Sequence, residues 1–406
     1  AGPASVQAGG HAALVVRGGR IEAAGRRREV AAAARRTDLD DAAILPGFVN
    51  AHAHLELAAL RRKVPAGGGF VPWIERLIAA KAERSSAQLA RDAEDAIREM
   101  LRNGFTAVAD FSTEGVSYAP MNDLGIRGAC LIEAIGWRAA DAARIEAEVR
   151  ALLARLPDTD RVRLGVAPHA PYSVSAPLLE RLAALAQEED RPLSIHLAET
   201  EEETEFLQAG TGPLRRLLER RGVWDDGWAP PGASPVRTAR DRGLLSPRTI
   251  AAHGNLAGGA EDVRILKESG ATVAFCPCSH AFFGRPPHPW PALRAAGVPV
   301  ALGTDSHASN DALSPWRGMG VARAALPELS PRDLLRAATI AGARALDPGA
   351  AGPLAAKPLA AGARADFAAV RVPPGLDAGM IEPFLVEHAD HVVLTAVGGA
   401  VRHDGR

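Results

Sequence analysis

Eight short apolar runs punctuate the middle of this 406-residue chain, near residues 47–52, 105–110, 129–134, 162–168, 193–196, 249–252, 271–275 and 299–304. Most are separated by Ala-, Arg- and Glu-rich stretches with helical periodicity, such as 86–103 and 141–156. Uninterrupted apolar runs suit parallel strands covered on both faces, and parallel strands need long crossovers, usually helices. Eight such units across residues 47–355 predict a (β/α)8 barrel. A doubly wound open sheet is the alternative. The polar residues that end the runs favour the barrel: His52, His54, His169, His196, His253 and Asp305 each stand at or just after a strand end. A barrel gathers such residues at one mouth, whereas an open sheet spreads them along an edge.

The ends of the chain have a different texture. Residues 12–24 read as a hairpin around Gly18-Gly19, 366–372 as a strand, and 392–401 as a hairpin around Gly398-Gly399. A small sheet domain built from both ends is expected.

Composition narrows the partners. A formal net charge of −1 gives no electrostatic reason to expect nucleic acid or an anionic membrane surface. No uncharged apolar segment approaches the roughly 20 residues that span a bilayer. Residues 1–11 lack the basic start and apolar core of a signal peptide. The three cysteines, Cys130, Cys276 and Cys278, make no disulfide framework, so a cytoplasmic, reducing compartment is expected.

The chemistry begins at Asn50-Ala51-His52-Ala53-His54. Side chains alternate along a strand, so the two imidazoles face one way. With His196 and Asp305 they supply three imidazoles and a carboxylate. That set suits Zn²⁺, and also Fe²⁺ or Mn²⁺, and leaves a position for water. A divalent ion lowers the pKa of such water to about 7. One His or Asp at a strand end is usually a hydrogen-bonded structural residue; the set together reads as a metal site.

The motifs resemble those of the amidohydrolase superfamily, in the aminohydrolase and chlorohydrolase branch that includes adenosylhomocysteine, guanine and aminodeoxyfutalosine deaminases. The matching pieces are Leu45-Pro46-Gly47-Phe48-Val49-Asn50-Ala51-His52-Ala53-His54, His169-Ala170-Pro171-Tyr172-Ser173, His196-Leu197-Ala198-Glu199-Thr200, Ala252-His253-Gly254, Leu302-Gly303-Thr304-Asp305-Ser306 and the tail from Leu359 to Asp366. The resemblance implies a catalytic (β/α)8 barrel, residues 47–355, beside a small β-sandwich made by residues 1–46 with 356–406. It implies one metal ion on His52, His54, His196 and Asp305. Glu199 would shuttle protons, His253 would stabilise the attacking hydroxide, and Asp305 would accept a proton from the water. Two-metal relatives bridge their ions with a Lys or Glu at the fourth strand; residues 162–170 contain neither.

Other residues have a functional and a bland reading. His169 is expected to line the substrate site. Trp73, after Gly67-Gly68-Gly69, either stacks on a planar ring or anchors the rim. Cys276-Pro277-Cys278-Ser279-His280 is expected to pack and line the pocket rather than bind metal, and His307 either meets substrate or holds its loop. The insertion at 222–235, with Trp224 and Trp228, is a candidate lid. The expected activity is hydrolytic deamination of a small amino-substituted heterocycle, purine-derived or similar. Dechlorination of a triazine-like ring, cyclic-amide hydrolysis and a catalytically silent binding barrel are the alternatives. A homo-oligomer is compatible with all of these.

Overall fold

The computed structural model describes residues 12–26, 36–347, 359–388 and 390–406. The segment read for a signal peptide (1–11), His11, and the parts of the expected small domain at 27–35 and 356–358 lie outside the described residues.

The eight apolar runs form eight strands: β4 (Phe48–Ala53), β5 (Phe105–Ser112), β6 (Arg127–Ala134), β7 (Val162–Pro168), β8 (Leu193–Leu197), β9 (Thr249–His253), β10 (Thr272–Phe275) and β11 (Val300–Leu302). They pair in chain order, all parallel. The sheet curls until its edges meet. Ala53 forms a parallel bridge with Asp305, and the backbone N–H groups of Thr304 and Asp305 both donate to the His52 carbonyl at 3.0 Å. That contact excludes the open sheet and ties the first strand to the last beside the expected metal donors.

The crossovers are helical for ordinary reasons. In the helix Ser86–Arg102, the Ser85 side chain accepts from the Gln88 N–H while Gln88 reaches back to the Ser85 N–H, a reciprocal cap. Ala93, Ala96, Ile97 and Met100 recur at helical spacing and are buried in the main core, the apolar stripe that fixes the helix against the strands.

The chain ends build two antiparallel sheets. The hairpin β1 (Ala12–Arg17) and β2 (Arg20–Arg26) stands alone as one. The other runs in the order β14 (Ala400–Asp404), β13 (Val392–Val397), β12 (Phe367–Arg371), β3 (Ala42–Pro46). Backbone bonds from Ile21 N–H to Ala363 O (2.8 Å) and from Ala365 N–H to Gly19 O (2.9 Å) lace the hairpin to the segment leading into β12. Between β3 and β4 the chain passes from small sheet to barrel at Gly47. A Cβ there would lie 2.1 Å from Thr106 Oγ1, so only glycine lets the two layers approach. No helix among the described residues is long and apolar enough to cross a membrane.

Candidate active site

Three strand ends carry unusual backbone. Ala198 after β8, His253 at the end of β9 and Asp305 after β11 have φ of 51°, 70° and 56°. Left-handed backbone costs a non-glycine residue roughly 1–2 kcal/mol, and such strain persists where surrounding bonds impose it. Here the His52 carbonyl holds the Asp305 N–H, and the Ala198 carbonyl accepts from the Leu256 N–H at 2.9 Å.

These strand ends bring the imidazoles and the carboxylate together. His54 Nε2 and His196 Nε2 are 3.1 Å apart. Asp305 Oδ1 lies 3.7 Å from His52 Nε2 and 3.8 Å from His54 Nε2. Two overlapping donor groups result, His52–His54–Asp305 and His52–His196–His253. His52 is fully buried, and neither ring nitrogen has a hydrogen-bond partner among the described residues. An unpaired buried polar group costs about 1–3 kcal/mol, a cost that a bound cation removes. The supporting contacts aim the donors. His196 Nδ1 lies 2.7 Å from the His169 carbonyl and donates to it, which leaves the Nε2 lone pair facing the cluster. Asp305 Oδ2 accepts from Ser279 Oγ (2.9 Å) and Ser309 Oγ (2.6 Å), so Oδ1 is the oxygen left for the histidines.

Electrostatics agree with a cation site. Burial, then the neighbouring His52, pushes His54 down to about 3. Burial also drives His196 and His253 well below the usual imidazole value. Burial alone would raise Asp305, but His52, His253 and His54 outweigh it and hold the carboxyl well below the usual range. Neutral imidazoles around an ionised carboxylate are the protonation states that ligate a metal. The residues present fit a metal ion.

Glu199 stands beside this cluster, 5% exposed, with Oε1 3.9 Å from His253 Nε2. Burial raises its carboxyl to about 8, opposed chiefly by the charge of Arg285. Its backbone is pinned from both sides: the N–H donates to Glu203 Oε2 at 2.8 Å, and the carbonyl accepts from Asn255 Nδ2 at 3.1 Å. His280 Nδ1 lies 3.0 Å from Asn255 Oδ1, so the Cys-Pro-Cys-Ser-His segment reaches Glu199 through Asn255. No metal-donor group among the described residues includes Cys276, Cys278 or His280.

The remaining candidates are placed as follows. His169 packs on His196, ring centroids 4.6 Å apart, and its Nδ1 is 2.7 Å from Ser173 Oγ. His307 is engaged by the Asn310 carbonyl at 3.0 Å and by Glu99 at 3.1 Å, contacts that hold its own loop. Trp73 is buried in an aromatic layer with Phe70, Phe282 and Phe283. In the 222–235 insertion, Trp228 stacks on Phe206 at 4.7 Å and Trp224 on Trp137 at 6.1 Å. A 420 Å³ cavity beneath that insertion is lined by Trp137, Pro171, Ser175, Trp228 and Thr238, and by none of the metal donors.

Two features escape a reading by motif. Lys81, on the helix Phe70–Ala82, reaches Glu56 at 2.6 Å, Thr113 at 2.7 Å and Glu133 at 3.8 Å. It therefore approaches the mouth from a helix, although no lysine stands at a strand end. Glu133, a lone acid in an apolar run, is the signal that could have marked this pair. The other feature is Arg285, whose isolated position in a Pro-rich loop gives no signal.

Residues 43–401 match the Amidohydrolase family. A 5-methylthioadenosine/S-adenosylhomocysteine deaminase of Nitratidesulfovibrio vulgaris is 32% identical over 96% of this chain and 85% of its own length. An aminodeoxyfutalosine deaminase of Deinococcus radiodurans is 30% identical over 75% of this chain and 73% of its own. The crystal structure of a Xanthomonas campestris adenosine deaminase with bound zinc superposes with a TM-score of 0.80 and 26% identity, covering 97% of this chain and 89% of that one. The motifs, the closed barrel with its His–Asp cluster and these matches agree: the chain belongs to the amidohydrolase family.

Proposed function

We propose that this protein is a deaminase that hydrolyses the exocyclic C–N bond of an amino-purine nucleoside or a similar heterocycle, using one divalent ion, zinc. The reading is carried by Glu199, a buried carboxyl 3.9 Å from His253 that stands beside the metal donors without being one of the proposed four. The names of the relatives, which are deaminases of adenosine derivatives, support the purine. We also propose that residues 47–355 are the catalytic unit and that 1–46 with 356–406 form an accessory β domain. Three free cysteines, two of them buried, are in keeping with a cytoplasmic setting.

A divalent ion held by His52, His54, His196 and Asp305 would supply the Lewis acidity that makes water a nucleophile at neutral pH. The chain's own groups do the rest. Deamination needs a proton for the ring nitrogen and another for the departing amine. Glu199, poised near the working pH, can give the first while neutral and relay the second once ionised. His253 faces the Glu199 carboxyl and the donor cluster, where an imidazole N–H stabilises developing negative charge. Ser279 and Ser309 hold the Asp305 carboxylate in place. His169, against His196, is placed to meet the bound ring.

The test is ammonia release from a panel of aminopurines, pterins, pyrimidines and triazines. Release from at least one adenine nucleoside supports the reading. Turnover of a chlorotriazine, with no ammonia from any purine, would replace it.

A further inference from the structure

Arg285 is a buried charge without an adequate partner. Its side chain is 7% exposed, yet among the described residues Nε and Nη2 have no hydrogen-bond partner. Its one ion pair among these residues joins Nη1 to Glu201 at 3.3 Å, and that carboxylate is 60% exposed. Taking a charge out of water costs several kcal/mol unless it is paired and hydrogen-bonded. A well-solvated acid at the rim offsets little of that cost.

The acids buried nearby are otherwise engaged. The Glu203 oxygens accept the backbone N–H groups of Ala198 (3.3 Å) and Glu199 (2.8 Å). Glu199 Oε1 faces His253, and neither Glu199 nor Glu203 forms an ion pair with Arg285 among the described residues. Two unsatisfied nitrogens of one planar fork are the geometry that takes a carboxylate or phosphate.

The place of this group in the fold is fixed by a chain of rings. The guanidinium lies 5.4 Å from the Phe70 ring and 5.2 Å from the Phe283 ring. Phe70 is 6.5 Å from Tyr172, Tyr172 is 5.9 Å from His169, and His169 is 4.6 Å from His196. Arg285 is thus a few ring widths from the metal donors, across the aromatic layer at the barrel mouth. Trp73 packs on the same Phe283 ring at 5.0 Å, and its buried indole N–H also lacks a partner among the described residues. Two donor groups without acceptors therefore border one aromatic ring.

The geometry points to an anion subsite at Arg285, with the Trp73 N–H as its second donor, that selects substrates carrying a carboxylate or phosphate remote from the reacting amine. The inference rests on the deaminase reading and narrows its substrate class. It also gives Trp73 a part as a hydrogen-bond donor, distinct from ring stacking and rim anchoring.

The experiment compares adenosine, its 5′-carboxylate and adenosine 5′-monophosphate, with the wild-type holoenzyme and Arg285→Gln. Steady-state ammonia release gives kcat and KM, and titration calorimetry gives binding whether or not turnover occurs. Calorimetry keeps a failure of the subsite distinct from a failure of deamination. Wild type should favour one anionic probe over adenosine by roughly 10–100-fold in KM and Kd, the worth of hydrogen bonds to a charged group. The carboxylate and phosphate arms show which anion the subsite takes. Arg285→Gln should abolish that preference and keep the metal content. Trp73→Phe should lose part of it and is the readout if Arg285→Gln does not fold. Equal binding of all three probes by wild type would overturn the subsite. So would an Arg285→Gln variant that retains the anion preference.

Discussion

Ser309→Ala tests how the metal donors are held. In the structure Asp305 Oδ2 accepts two hydroxyls, Ser309 at 2.6 Å and Ser279 at 2.9 Å, while Oδ1 faces His52 and His54. Each is a hydrogen bond to an ionised carboxylate, worth about 1.5–3 kcal/mol. Removing one leaves a buried, partly unpaired oxygen and a carboxylate free to rotate. The corresponding loss in metal affinity is roughly 10–100-fold, the usual scale for contacts that orient ligands. The assay is competition for zinc against a chromophoric chelator, on Ser309→Ala, Ser279→Ala and the double variant. Because both hydroxyls meet one oxygen, the double variant should depart from additivity. An affinity within twofold of wild type for both single variants would refute the reasoning and remove Asp305 from the ligand set.

Glu199→Gln keeps shape but cannot carry the proton; it should retain its metal and bind substrate while turnover falls roughly 10²–10⁴-fold. Near-normal turnover would remove Glu199 from the mechanism, and metal loss would make it a ligand. Gly47→Ala places a Cβ 2.1 Å from Thr106 Oγ1 and should destabilise the protein by about 1–3 kcal/mol, read as a lower urea midpoint; an unchanged midpoint would show that the layers can part there. Glu99 supplies a pH-dependent contribution. Burial would raise it, but the His307 bond and charge, the Leu313 N–H and Arg61 outweigh burial and lower it from 4.5 to about 2. With the folded value below the unfolded one, its stabilisation is full above pH 4.5 and fades as pH falls toward 2. The urea-midpoint gap between wild type and Glu99→Gln should therefore shrink between pH 6 and pH 3; a constant gap would contradict the assignment.

The barrel was legible because parallel strands covered on both faces turn into uninterrupted apolar runs, and because the polar residues that end those runs meet at one mouth. The convergence of His52, His54, His196, His253 and Asp305 could be read that way. The division of the terminal strands was not, since the pairing of β3 with β12 decides it and joins the two ends of the chain with no local spacing to reveal it. For Trp73 the sequence leaves stacking on a ring and anchoring of the rim equally open; the structure turns it into the aromatic layer against Phe283. The link from His280 through Asn255 to Glu199 joins residues far apart in sequence, with no local spacing to reveal it. Arg285 was invisible for the same reason: an arginine looks like any solvated charge until its burial is known.

The most direct measurement is ammonia release against metal content. Protein stripped by a chelator and titrated with zinc should recover adenine-nucleoside deamination linearly, with a break at about one ion per chain, the number a single four-donor site holds. His52→Ala should show neither the break nor the activity. Full activity in the stripped protein, or a break at two ions, would contradict the account.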